Sequence, residues 1–218
     1  MNIDVSEALR YLRAVNADKE TRMAVESVAH ELEAKLAPKY VWRECEVVFR
    51  EDGVFLPDAN LALPGALAKK MLSACDRAAL LLCTLGAEFD RLLRMTQARD
   101  MARAVMLDAC GSAYVEAGCA EAEREIARLH SALYLSDRFS PGYGDLPLDL
   151  QDDFLAALNG QKRLGVTALP SHLLAPAKSV TAIIGLSGQP QEAKIRGCAF
   201  CALQGRCAYR ERGTTCAI

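Results

Sequence analysis

Long apolar runs are missing from this chain, and none approaches the ~20 residues of a membrane-spanning helix. A dominant charge is missing too. Lys and Arg number 26 against 28 Asp and Glu, a formal net charge of −2. That balance argues against broad electrostatic binding to nucleic acid. Histidine is scarce: His30, His130 and His172 stand alone, and none forms a ligand pair at helical spacing. Each is expected to be structural or at the surface. The first residues, MNIDVSEALRYLRAV, lack a basic region followed by an apolar run, so no secretion signal is expected. There is no Walker loop, no G-x-S-x-G, no internal repeat and no low-complexity linker. Gly142-Tyr143-Gly144 is no dinucleotide fingerprint, because Pro147 takes the place of the third glycine. No D-x-H-x-x-G pattern precedes a histidine, so this chain is not expected to hold a corrinoid by itself.

What is present supports a sizeable core. The 218 residues are 51% hydrophobic and 25% charged, enough for one large domain or two small ones. Nine cysteines without a secretion signal point to a reducing, cytoplasmic compartment, where clustered thiols bind metal or do redox work more often than they form disulfides.

Periodicity predicts helices over 5–15 and 19–36, the second with Met23, Val25, Val28, Leu32 and Leu36 as its buried stripe. Residues 40–50 are rich in β-formers, and Glu51-Asp52-Gly53 then turns the chain into Val54-Phe55-Leu56, a hairpin. Pro64 suits a first helical turn. AALLLCTL, residues 78–85, reads as a buried strand. Helices are expected over 87–96, 98–130 and 149–158, the last capped by Asn159-Gly160. SVTAIIGL, residues 179–186, reads as a further strand. This order predicts an α+β fold, with mixed helices around a small, mainly antiparallel sheet. Residues 1–196 form the body, divided into an N-terminal part over 1–100 and a ligand-binding part over 101–196. Residues 197–218 form a separate cysteine-rich tail.

That tail carries Cys198, Cys201, Cys207 and Cys216. The first two make a C-x-x-C pair, which lets two thiolates grip one metal from a tight turn. Arg196, Arg206, Arg210 and Arg212 lie among them and would favour the thiolate forms. A zinc ribbon shows two C-x-x-C pairs, and the uneven spacing here suits an iron–sulfur cluster better. Structural zinc is the alternative. Cys45, Cys75, Cys83, Cys110 and Cys119 are scattered through apolar segments and read as buried small hydrophobes.

RFSPGYGDLP, residues 138–147, can be neither helix nor strand, yet it holds Arg138, Tyr143 and Asp145. Upstream, Glu116 lies in GSAYVEAG. Gly111 and Gly118 flank it, and each costs a helix roughly 1 kcal/mol against alanine, so close approach of another group is expected there.

RFSPGYGDLP resembles the R-P-A-P-G-Y-P signature of the activation domain of cobalamin-dependent methionine synthase. LDACGSAYVEAG is similar to that family's glutamate-bearing helix, and ALPSHLLAPAKSVTAIIG to its later M-x-P-x-x-S-V-S-G segment. The three occur in the family's order, and CTLGAEFD resembles stand-alone proteins of this type. The resemblance implies binding of S-adenosylmethionine and docking on a cobalamin domain to support reductive methylation of cob(II)alamin. It also implies roles. Arg138 would grip the ligand carboxylate, Ser140 and Gly142 would offer backbone groups, and Glu116 would meet the ligand's charged part. Tyr143 would face the corrin. The chain departs from the family at two places. Ala132 stands where a second acidic residue is expected, and Ile183-Ile184-Gly185 where an aromatic is expected.

The expected partner is thus a corrinoid-bearing methyltransferase or methionine synthase, which carries the cobalamin, together with a reductant protein. The chain would be an accessory component rather than a complete enzyme. Two other readings compete: an iron–sulfur electron-transfer protein docking on a corrinoid protein, and a non-catalytic scaffold with structural zinc.

Overall fold

A computed structural model describes residues 1–191 and 195. The cysteine tail, with Cys198, Cys201, Cys207 and Cys216, lies outside the described residues.

The organising element is the strand over Arg77–Thr84 (β5), seven of whose eight residues are buried. It pairs antiparallel with Lys39–Glu46 (β1) on one side and Ser179–Ser187 (β9) on the other. Tyr134–Leu135 (β6) closes the sheet, giving the order β1-β5-β9-β6 with every pairing antiparallel. The mainly antiparallel α+β fold expected from the sequence is therefore present. One sheet takes two strands from residues 1–100 and two from the later part.

β5 is apolar throughout because both its faces are covered, so the alternation of a half-exposed strand is absent. Leu81 and Cys83 join Ala182, Ile184 and Leu186 of β9 under a helical layer. That layer comprises Val5–Tyr11 (α1), Lys19–Lys35 (α2), Ala87–Gln97 (α4) and Met101–Leu129 (α5). Leu80 and Leu82 face the other way with Ile183, toward a mixed layer. It holds a small sheet of Val48–Phe49 (β2), Gly53–Leu56 (β3) and Leu61–Pro64 (β4), the helices Ala66–Met71 (α3) and Leu150–Leu158 (α6), and the 138–147 loop. Gly160–Leu164 (α7) and a pair of two-residue strands, Thr167–Ala168 (β7) and Leu174–Ala175 (β8), complete the body.

The helix starts follow side-chain capping. Asp4, Asp18 and Asp100 each accept backbone N–H groups in the first turns of α1, α2 and α5, which satisfies donors that have no partner within the helix. α5 is also fastened from its side. Glu125 accepts from Tyr40 Oη at 2.7 Å and from Trp42 Nε1 at 3.1 Å, tying the helix to β1. The carboxylate beside it pushes the Tyr40 hydroxyl up to about 12.

The two glycines of α5 behave as their cost implies. A Cβ on Gly111 would stand 2.2 Å from the Phe89 ring. One on Gly118 would stand 2.5 Å from the Pro38 ring and 2.7 Å from Cys83 Sγ. Both positions admit a neighbour that alanine would exclude. The cysteines of the body, Cys45, Cys75, Cys83, Cys110 and Cys119, are free and buried, as expected for small apolar side chains.

Several local expectations are corrected. α1 ends at Tyr11, since Arg13 takes a left-handed φ of 56°. Met23 is 57% exposed, and Ala29 takes a place in the α2 stripe beside Val25, Val28 and Leu32. Pro64 ends strand β4, paired with Gly53, and the following helix begins only at Ala66. Asn159 does cap α6, in left-handed conformation, but the chain re-enters a helix at once as α7.

Candidate functional site

The 138–147 loop is fixed by its own backbone and by three side chains. Phe139 is fully buried and exchanges two backbone hydrogen bonds with Ile183 of β9, at 3.1 and 2.8 Å. Ser140 Oγ donates to the Thr181 carbonyl at 2.6 Å. Within the loop, Gly142 N donates to Leu146 O at 2.8 Å, Tyr143 N to Ser140 O at 3.0 Å and Leu146 N to Tyr143 O at 2.9 Å. Gly142 and Gly144 hold φ of 92° and 56°, which glycine adopts without steric penalty.

Asp145 closes the structure from the far end. Its carboxylate accepts from Ala66 N at 2.6 Å and Leu67 N at 3.0 Å, capping α3 from 78–79 residues away. Those two bonds, Ala66 first, hold its carboxyl below the usual 3.8. A depressed folded pKa stabilises the fold fully above the unfolded value, and the contribution is lost as pH falls through the folded one. Asp145→Ala should therefore be less stable than wild type at neutral pH, with the gap closing at pH values well below 3.8. Urea melts across that window check it. A gap independent of pH would show that the carboxylate's charge plays no part.

At the near end, Arg138 reaches α5. Its Nη2 donates to Glu116 Oε2 at 2.8 Å. Its Nη1 lies 3.1 Å from Glu123 Oε2, near enough for an ion pair. That contact is not aligned as a hydrogen bond, and the buried Nη1 has no hydrogen-bond partner among the described residues. The Arg138 side chain is 11% exposed, whereas those of Glu116 and Glu123 are 39% and 23% exposed. The guanidinium thus sits beneath two more accessible carboxylates.

Tyr11 belongs to the same neighbourhood, since α1 packs along α5. Burial, then the nearby carboxylates of Glu116 and Glu7, push its hydroxyl up. Tyr143 projects from the loop, 49% exposed.

The residues expected from the sequence fall into three groups. Arg138 and Glu116 are brought together. Ser140 and Gly142 lie in the same loop, with the Ser140 hydroxyl and the Gly142 N–H already engaged. The four tail cysteines lie outside the described residues. Among the described residues no cluster of His, Cys, Asp or Glu is arranged to hold a metal. His172 pairs with Asp152 at 2.7 Å, and His130 lies 3.6 Å from Glu44.

Glu123 was not anticipated. Its signal was available, because it stands seven residues after Glu116 and so two turns along the same helix face. Ala132 leaves the expected acidic position empty, and α5 supplies a second carboxylate instead.

The last described residue is held close by. Ile195 N donates to Asp137 Oδ2 at 3.1 Å, one residue before Arg138.

No family model matches the chain, and no curated protein matches it. Among solved structures, the chain is similar to the crystal structure of the MetH reactivation domain bound to AdoHcy. The TM-score is 0.69 at 16% sequence identity, over 97% of this chain and 82% of that one. The core sheet, the long α5 helix and the loop carrying Arg138 are accordingly built on the fold of the MetH reactivation domain.

Proposed function

We propose that this chain binds S-adenosylmethionine and serves as the reactivation partner of a corrinoid-dependent methyltransferase of the methionine synthase type. The observation that carries this reading is the position of Arg138. It lies at the mouth of a fastened loop, against Glu116, in a fold whose solved counterpart is bound to AdoHcy.

The site suits such a ligand. The Nη1 of Arg138, which lies in ion-pair range of Glu123 but makes no hydrogen bond among the described residues, is a donor for a carboxylate, and a guanidinium matches that group's geometry. Glu116 suits the ammonium or sulfonium. With its N–H bonded to Leu146, Gly142 would meet the ligand through its carbonyl, while Ser140 would contribute backbone beside it. The exposed ring of Tyr143 offers a flat apolar surface to a corrin carried by the partner. The expected role is to present a methyl donor to cobalt that has slipped to cob(II)alamin.

Titration calorimetry with purified protein tests the ligand claim. S-adenosylmethionine should bind at one site per chain. Absence of heat and of any thermal stabilisation by the nucleoside would overturn it.

A second reading concerns the electron. It is motivated by the sequence alone, in which four cysteines follow the body within one short segment. Cys198, Cys201, Cys207 and Cys216 would hold an iron–sulfur cluster, which can supply an electron at low potential, whereas zinc cannot. Stoichiometric zinc without iron after anaerobic purification would reduce the tail to a structural staple.

A further inference from the structure

We infer that Asp108, held in place by Lys178, receives the ribose hydroxyls of the S-adenosyl ligand and makes the site selective for an intact ribose. This rests on the S-adenosyl reading above and names where the nucleoside end of the ligand lies.

Lys178 immediately precedes β9, and its side chain is only 14% exposed. An ammonium at that depth needs partners, because an unpaired charge is costly to bury. It has two, both on α5. Its Nζ donates to Ser112 Oγ at 2.8 Å and pairs with Asp108 Oδ1 at 2.9 Å. The lysine is also fixed from behind. Its carbonyl accepts from Leu85 N at 2.9 Å, and the preceding Ala177 N donates to Asp90 Oδ2 at 3.1 Å. The Asp108 side chain is 51% exposed, and its Oδ2 makes no hydrogen bond or ion pair among the described residues. A deep cation thus holds a carboxylate open to solvent, as Arg138 does with Glu116. Asp108, Ser112 and Glu116 stand four residues apart on α5 and form one ridge of the helix.

Two rulers agree on the spacing. Along α5, eight residues separate Asp108 from Glu116, a rise of about 12 Å. Along β9, three residues separate Lys178 from Thr181, whose carbonyl holds Ser140 of the loop, a span of about 10 Å. In the reading above, Glu116 meets the ligand's ammonium or sulfonium. From that ammonium to the ribose 3′-hydroxyl an extended ligand runs through about eight bonds, roughly 10 Å. The ribose therefore comes to the height of Asp108 and Ser112. The chemistry agrees, since an ionised carboxylate only accepts and must face donors. The ribose diol supplies two hydroxyls at this distance, whereas the adenine amino group lies a ring system farther on. Dinucleotide-binding folds set an acidic residue on a ribose hydroxyl in the same way.

The test is calorimetry with S-adenosylhomocysteine and its 2′,3′-dideoxy analogue on wild type, Asp108→Ala and Asp108→Asn. Wild type should bind the analogue about tenfold to a hundredfold more weakly, as expected for hydrogen bonds to a charged group. Asp108→Ala should bind the two nucleosides within about threefold of each other, by weakening the hydroxylated one alone. Asp108→Asn keeps the shape, should lie between, and carries the test if the alanine variant does not fold. Unchanged affinity for the analogue separates a ligand contact from a structural role, because a displaced Lys178 or a disturbed helix would weaken both nucleosides alike. Equal wild-type affinities, full discrimination retained in the variants, or a parallel loss of both nucleosides would each overturn the inference while leaving the S-adenosyl reading standing. Binding of neither nucleoside by wild type would overturn both.

Discussion

Phe139→Ala should lower the stability of the protein by about 3–5 kcal/mol, the usual range for truncating a buried aromatic, and should abolish ligand binding with it. Phe139 is fully enclosed in the cluster that also contains Ile183, Leu146 and Phe154. It is also the residue next to Arg138, and its backbone exchanges hydrogen bonds with β9. The cavity left by the ring removes what holds the start of the loop. Phe154→Ala is the matched control: the ring is equally buried in the same cluster but belongs to α6. It should lose comparable stability and keep its affinity for S-adenosylmethionine at temperatures where it remains folded. Denaturant melts and calorimetry on both variants decide the matter. Equal loss of affinity in the two would mean that the loop is not organised by Phe139.

Arg138→Ala should cost affinity for S-adenosylmethionine about 1.5–3 kcal/mol, roughly tenfold to a hundredfold, as expected for a charge-assisted contact. It should also destabilise the free protein. With the guanidinium gone, Glu116 and Glu123 both lose the positive charge it brings to them. A fully buried pair broken in this way loses about 3–5 kcal/mol. Both carboxylates are partly solvated, so roughly 1–2 kcal/mol is expected after screening. Arg138→Lys separates the two effects. An ammonium keeps the charge and most of the stability, but it lacks the planar fork that meets a carboxylate with two parallel N–H groups. Its affinity should therefore stay well below wild type. Full affinity in Arg138→Lys would show that charge alone, and not the fork, binds the ligand.

The legible parts of the fold were those whose burial is two-sided or strictly periodic. AALLLCTL and SVTAIIGL are continuous apolar runs because layers cover both faces of β5 and β9. The long α5 helix announced itself by composition. The losses were local. Pro64 has two good homes, a helix start and a strand end, and only the pairing of β4 with β3 chooses between them. Asn159-Gly160 reads as a stop because a left-handed residue ends a helix, yet the same geometry lets α7 restart at a new angle. Met23 kept the helical period but lies at the edge of the face that α2 presents.

The site was legible in unequal measure. Arg138 and Glu116 were marked by resemblance to a family, and their contact could not be deduced from two residues 22 positions apart. Asp145 looked costly for a connector, and its use is now plain, since it caps a helix far back in the chain. Glu123 had a signal in its spacing, but heptad-spaced carboxylates are common on solvated helix faces. Only the incoming guanidinium gives this pair a meaning.

The glycines of α5 have a consequence for motion. Gly111 and Gly118 lie seven residues apart and so share one face, pressed against Phe89, Pro38 and Cys83. Glu116 and Glu123 are likewise seven apart, each five residues beyond a glycine, which sets them about 140° around the helix axis. The glycine face acts as a keyway. Rolling the helix would drive neighbouring backbone and side chains into Phe89 and the rigid Pro38 ring, so the azimuth of the two carboxylates is locked by the core. The helix is thus a stator, and what freedom the site keeps lies in the side chains rather than in helix or loop.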